Sequence, residues 1–503
     1  MNVDDATTLS HKRISSIVFF RYANQPFGTW KKLGVKGPSP YPFVGNIPEM
    51  FDDRIGTCVS IAKWQKQYGR IFGAYFFRVP VLIVTDPDFL KHIFVKDFNN
   101  FTDRFFAGNR KLQQRIIRKG LFFEVGADWQ RIRRIMSPTF SSGKLRLLTH
   151  YMNLTAQRLG ENLKNFAASG THVEAKKVYG AFTLDVICGT AFGLDTNSQQ
   201  NLEAPFIQHA KSMLTFEKHI QIILGLAGSF PELASLFEFL DIGIFKKNDV
   251  KFFEKNLVAL IQERKAHPER QKCTDFLQLL LEAEADKTHE FVGEKKLTAE
   301  EIAAQGIIFI MAGYETTSTT LQYMSYELAK NTDVQAKVKN EISKVLGDTT
   351  EPDYDKCKSL KYTEAAISET LRMYPPAHLL SRLAEREISF KDVKIPAHTG
   401  MIIPLYNIGR DPEFFEDPDS FKPDRFLNEN KAKINPITYL PFGFGPRKCI
   451  AMRLAIMELK IAIVHILRAV EFVGVTPEVL DIEDFTGILV PRSPIKLHVR
   501  AVN

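Results

Sequence analysis

The chain has 503 residues, 45% of them apolar and 25% charged, with a net charge of +8. This is the balance of a folded protein long enough to bury a large core and still enclose a ligand, and no Lys/Arg block concentrates the charge as nucleic-acid binding requires. The five cysteines, Cys58, Cys188, Cys273, Cys357 and Cys449, include no C-x-x-C pair, which excludes zinc ribbons and dithiol redox chemistry and points to free thiols in a reducing compartment.

Residues 1–36 read as a leader. Its one apolar run, Ile14–Phe20, is too short to span a bilayer, and no small-residue cleavage site follows it. Pro38, Pro40 and Pro42 then impose a stiff, extended segment. Residues 71–84 predict two strands with a turn near Arg78–Pro80, and helical patterns run on to about residue 380. Among them, 220–245 is apolar but broken by Gly225, Gly228, Pro231, Glu232 and Glu238; it suits a bilayer interface or the rim of a substrate entrance. Thr298–Glu301 is a capping box. It predicts a helix to about Lys330, apolar nearly all round from Ile307 to Ala312, as in a helix crossing the middle of a large protein. Residues 385–405 turn strand-like, and Ile488–Val490 with Ile495–Val499 predict a final strand pair. Strands at both ends with helices between predict one interwoven domain, 37–503.

The chemistry concentrates in a few motifs. In Phe442-x-x-Gly445-x-Arg447-x-Cys449, a tight loop delivers a cysteine to the N-terminus of an apolar helix that continues to about Ala469. The positive end of the helix, with Arg447 and Lys448, favours the thiolate, the form a soft metal ligand requires. Ala312-Gly-Tyr-Glu315-Thr316 sets a carboxylate beside a hydroxyl within the long apolar helix, which is costly unless partnered. A Thr there bonds back to the carbonyl one turn earlier, and Gly313 weakens the same turn. Glu369 and Arg372 form an i, i+3 pair. Trp129 and Arg133, i and i+4, offer an indole N–H and a guanidinium to a carboxylate. No Gly-rich dinucleotide motif sits on a strand–helix turn.

The cysteine loop closely resembles the haem-ligand signature of the cytochromes P-450. The resemblance covers almost the whole chain and extends to the animal microsomal enzymes of family 3, subfamily A, which oxidise drugs and steroids. It implies the cytochrome P-450 fold, mainly α with small β-sheets, and a long central helix over a haem b whose iron is bound by Cys449. By the same resemblance Phe442, Gly445, Arg447, Ala451 and Ala312 contact the haem, and Trp129, Arg133, Arg104 and Arg382 hold its propionates. Ala451 stands where the family has glycine, and Asp424 where it has glutamate. Thr316 and Glu315 take the roles of oxygen activation and proton delivery. Phe122, Phe123, Ile308 and Met311 are placed around the substrate, with Ala377, His378, Ile488 and Leu489. Glu369, Arg372 and Arg425 brace the cysteine loop.

The implied reaction inserts one oxygen atom from O2 into an apolar substrate that is steroid-, lipid- or xenobiotic-like. Electrons come from NADPH through NADPH–cytochrome P-450 reductase, with cytochrome b5 as a further partner. Arg131, Arg133, Arg134, Lys144, Lys448 and Arg453 are the expected docking patch for that acidic reductase. The implied location is the cytoplasmic face of the endoplasmic reticulum membrane, held peripherally. Two other readings of the loop stand beside this one. The first is a haem-thiolate peroxide isomerase of the thromboxane-synthase kind, against which Glu315 and Thr316 argue. The second is a non-catalytic haem-binding protein.

Overall fold

The computed structural model describes residues 18, 20–50, 56–106, 110–215, 218–267, 275–285, 296–483 and 487–502, which fall into two units, each gathered from separated stretches of chain. Cys273 and most of Ile14–Phe20 lie outside the described residues. The architecture is mainly helical with small sheets, as expected.

One unit holds residues up to Leu112 with 217–244 and 379–404. Ile71–Phe76 and Val79–Val84 pair antiparallel, Val79–Val84 runs parallel to Gly400–Pro404, and Leu379–Leu383 closes the four-stranded sheet antiparallel to Gly400–Pro404. The hairpin reverses at Phe77 and Arg78, earlier than the proline suggests, with Phe77 at φ 51°. Pro80 lies within the second strand, where its missing N–H does no harm because pairing with the parallel neighbour begins at Val81. Alternate residues Phe72, Ala74 and Phe76 share one face and pack with Ile61 and Trp64 of the Thr57–Tyr68 helix. On the other face Gly73 lies so close to Trp30 that a Cβ there would meet the indole at 2.3 Å.

The 220–245 stretch forms two helices, Lys218–Ser229 and Leu233–Phe239. Ala227 and Ala234 pack with Leu112, and Phe237 closes on that cluster. Leu236 and Phe239 stay exposed, at 49% and 86%. Among the described residues no helix is long and apolar enough to cross a membrane.

The other unit holds 113–216, 245–378 and 405–503. Its axis is the Ala299–Lys330 helix, which starts at the Thr298 capping box as expected. This helix packs against Ala175–Phe192, and Met452–Ala469 packs on Ser142–Ser169. The final strand pair is a correction. Lys496–Ala501 pairs with Val470–Thr476 and Val173–Glu174, whereas Val490–Pro491 pairs with Ile482–Glu483. Two apolar runs close in sequence look like a hairpin, yet Pro491 and Pro494 between them send the chain to different partners.

Candidate functional site

The cysteine loop is shaped by two left-handed glycines, Gly443 at φ 71° and Gly445 at φ 69°, conformations that side chains resist. Gly443 N–H donates to the Leu440 carbonyl, and Cys449 N–H donates to the Phe442 carbonyl, both at 2.8 Å. The following helix begins at Met452 with Ala451 as its N-cap, so Cys449 lies in the turn before the helix rather than at its first residue. The dipole therefore acts on the thiol from beyond the first turn, more weakly than expected. Arg447 contributes differently too. Buried, it stacks over the Trp129 ring at 4.1 Å and donates to the Glu124 carbonyl at 2.8 Å, which fastens the loop to the Gly126–Met136 helix.

Of the four described cysteines, Cys449 alone is exposed. Burial pushes the Cys357 thiol up to about 12 and raises the Cys188 thiol well above the usual range. Arg133, half-buried on the helix that carries Trp129, has its pKa lowered by burial, while a negative charge on Cys449 opposes the shift; the two groups are within electrostatic reach.

On the long helix, Thr316 Oγ1 donates to the Ala312 carbonyl at 2.6 Å, the expected back-bond. Ala312 and Thr316, one turn apart, share an accessible face of a helix that is otherwise largely buried. Glu315 is held on the adjacent flank. Lys176 Nζ reaches its Oε1 at 2.6 Å and also donates to Ser318 and Thr319, each at 3.0 Å. Burial lowers the Lys176 pKa and Glu315 resists that shift. Lys176 carries no local signal in the sequence, since it follows a two-residue strand far from the motif.

The residues expected around the substrate divide. Phe122 is 44% exposed, and Met311, Ala377 and Ile488 are partly accessible, with Ala377 bridged to Ile488. Ile308 packs on Gly120, where a Cβ would meet its Cγ1 at 2.2 Å. Phe123 packs edge-on to Phe245, and Leu489 and His378 are fully buried. Phe123, Leu489 and His378 are thus buried, as is Ile308, whereas Phe122, Met311, Ala377 and Ile488 keep accessible surface.

Glu369 is fully buried. Its Oε2 accepts from Arg372 Nε at 2.7 Å, and its Oε1 accepts from Arg372 Nη2, the Lys422 N–H and Arg425 Nε at 2.8, 2.9 and 3.2 Å. Arg372 continues to the Gly409 and Pro418 carbonyls. An i, i+3 pair that would be worth little on a surface is here the centre of a buried network. In the first unit, Arg382 is buried with its guanidinium over Phe94 at 5.1 Å, and Arg104 is half-buried.

The family model for cytochrome P450 matches residues 35–499. The chain belongs to the cytochrome P450 family. It is 37% identical to cytochrome P450 3A29 of Sus scrofa over 491 residues, covering 96% of this chain and 95% of that one. It is 35% identical to cytochrome P450 3A9 of Rattus norvegicus over 488 residues, 97% and 95% of the two chains. It is also 37% identical to the lithocholate 6-beta-hydroxylase of Mesocricetus auratus over 456 residues, 90% and 88% of the two chains. This P450 is a monooxygenase of the 3A kind, an oxidoreductase, and its family implies haem and, in general, a reductase partner. The site suits a haem. It presents one accessible thiol on a rigid loop, a cation within reach of that thiol, and an open helix face bearing a small residue and a hydroxyl.

Proposed function

We propose that this P450 hydroxylates apolar, steroid-like molecules, with lithocholate, named for the hamster relative, as the first substrate to try. Lipids and xenobiotics of similar shape belong to the same class. The observation that carries the site assignment is Cys449, the one exposed cysteine among the described residues, on its two-glycine loop with Arg133 in electrostatic reach. Haem b, when bound, supplies the iron at which O2 is reduced and one oxygen passes to the substrate. Cys449 provides the thiolate ligand. Trp129 and Arg133 offer donors to the propionates, and Arg104 and Arg382 keep the propionate role that the family resemblance gives them. Ala312, Phe442, Gly445, Arg447 and Ala451 shape the walls. Thr316 holds a hydroxyl on the open helix face, and Glu315, fixed by Lys176, stands one residue away to help relay protons through water. Phe122, Phe123, Ile308, Met311, Ala377, His378, Ile488 and Leu489 orient the substrate.

Electrons come from NADPH through cytochrome P450 reductase, with cytochrome b5 as a second donor. Residues 37–503 act as one catalytic domain. The protein sits on the cytoplasmic face of the endoplasmic reticulum, attached in part through the exposed Leu236 and Phe239. Purified haem protein, titrated with lithocholate and neutral steroids and then supplied with reductase and NADPH, tests the reading. A substrate-induced spectral shift and a hydroxylated product are expected. Absence of both across a broad panel of apolar molecules overturns the substrate class.

A further inference from the structure

The second unit contains a cavity of about 590 Å³ that none of Cys449, Thr316 and Glu315 lines. The volume falls within the range of small-molecule sites. Phe426, Ile434, Met452, Ile456 and Met457 give it an apolar floor. Lys358, Lys431 and Arg453 stand exposed at its rim and form no ion pair among the described residues. The one carboxylate in the lining, Glu364, is already engaged. Lys460, buried at the cavity wall, donates to it at 2.6 Å and to the Cys357 carbonyl at 2.9 Å. The cavity therefore presents net positive charge at its mouth, where Lys358 and Lys431 lie within electrostatic reach of Asp355 and Glu364 without pairing to them, and apolar surface beneath.

We propose that this cavity is a binding site for a small amphipathic anion, an apolar body ending in a carboxylate or sulfonate. Burial of the body on the floor supplies affinity, and the rim cations select for charge and fix orientation. An acidic side chain on a partner protein would satisfy the rim alone, and the floor argues for a molecule that carries its own apolar part. The cavity touches the cysteine loop through Phe442, whose carbonyl accepts the Cys449 N–H.

The test uses the haem-loaded full chain and dodecanoate bearing a photoreactive diazirine, with the matching neutral alcohol as control. Labels are mapped by mass spectrometry. The acid should label peptides from 354–368 and 434–457, and the alcohol should label them about tenfold less, as expected for loss of a charge-assisted contact. The double variant Lys358→Glu with Lys431→Glu should lower labelling by the acid to a similar degree at unchanged haem content. Ile456→Trp, which fills the floor and leaves the charges, should block it. Labels confined to other peptides, equal labelling by acid and alcohol, or undiminished labelling of the double variant each overturn the proposal. So does a double variant that slows electron transfer from reductase while still labelling normally, because the rim then serves a protein.

Discussion

A cysteine becomes a metal ligand when its sulfur can ionise and can be reached. Burial denies both to Cys357 and Cys188, whose thiols it holds protonated, while Cys449 keeps its surface and a nearby guanidinium. Cys449→Ser should leave much of the fold in place and abolish the strongly red-shifted band of the reduced, CO-bound haem. Retention of that band would show the ligand to be another residue. The same scale explains Glu315. Its side chain is only 12% exposed, and such a carboxylate needs a cation. Lys176→Met should destabilise the protein by roughly 2 kcal/mol, read from urea unfolding, with Lys176→Arg restoring most of the loss.

At the scale of elements, the brace around Glu369 joins the Lys361–Met373 helix to the Pro423–Phe426 turn. Glu369→Ala strands Arg372 in the interior, a cost of about 3–5 kcal/mol. The expected outcome is a lower yield of haem-loaded protein, and normal haem content with slow turnover would contradict a bracing role. The packing of Met452–Ala469 on Ser142–Ser169 contains a pH response. His465 Nε2 donates to Asn153 Oδ1 at 3.0 Å, and burial, aided by Arg468, pushes its pKa down to about 4. The unfolded chain takes up that proton near pH 6.5 while the folded chain does not, so stability falls as pH drops through this window, by roughly 2 kcal/mol at pH 5. His465→Gln keeps a donor to Asn153 and removes the titration. Its urea midpoint should change less between pH 7 and pH 5 than that of the parent.

At the scale of the whole molecule, the charged face and the apolar patch govern what the protein meets. Arg131 was expected to serve the reductase, but its guanidinium is spent on Asp128, Glu301 and the Lys296 carbonyl. Lys448, Arg134 and Arg453 are exposed. Lys448→Glu should therefore slow electron transfer from reductase more at low salt than at high, whereas Arg131→Glu should lower stability at any salt. The proposed membrane attachment draws on Leu236 and Phe239, two of the exposed apolar side chains of the 220–245 stretch beside Ile222, Leu226 and Leu240. Changing both to Ser should weaken vesicle binding about tenfold. Phe237→Ser should instead report on folding, since Phe237 packs with Leu112, Ala227 and Ala234.

The sequence alone determined what depends on neighbours in the chain. The capping box at Thr298, the Thr316 back-bond, the Glu369–Arg372 pair and the glycine loop before Cys449 all involve residues a few positions apart, where backbone geometry dictates the contact. The tertiary structure decided the rest. Lys176 reaches Glu315 across 139 residues, and Arg447 reaches the Glu124 carbonyl across 323. Leu489 is buried, and Lys496–Ala501 bypasses its run, the partner the sequence suggests, to pair with Val470–Thr476. Local periodicity records which side of an element is apolar, but it does not record which distant element will cover that side or which buried charge will find its partner there.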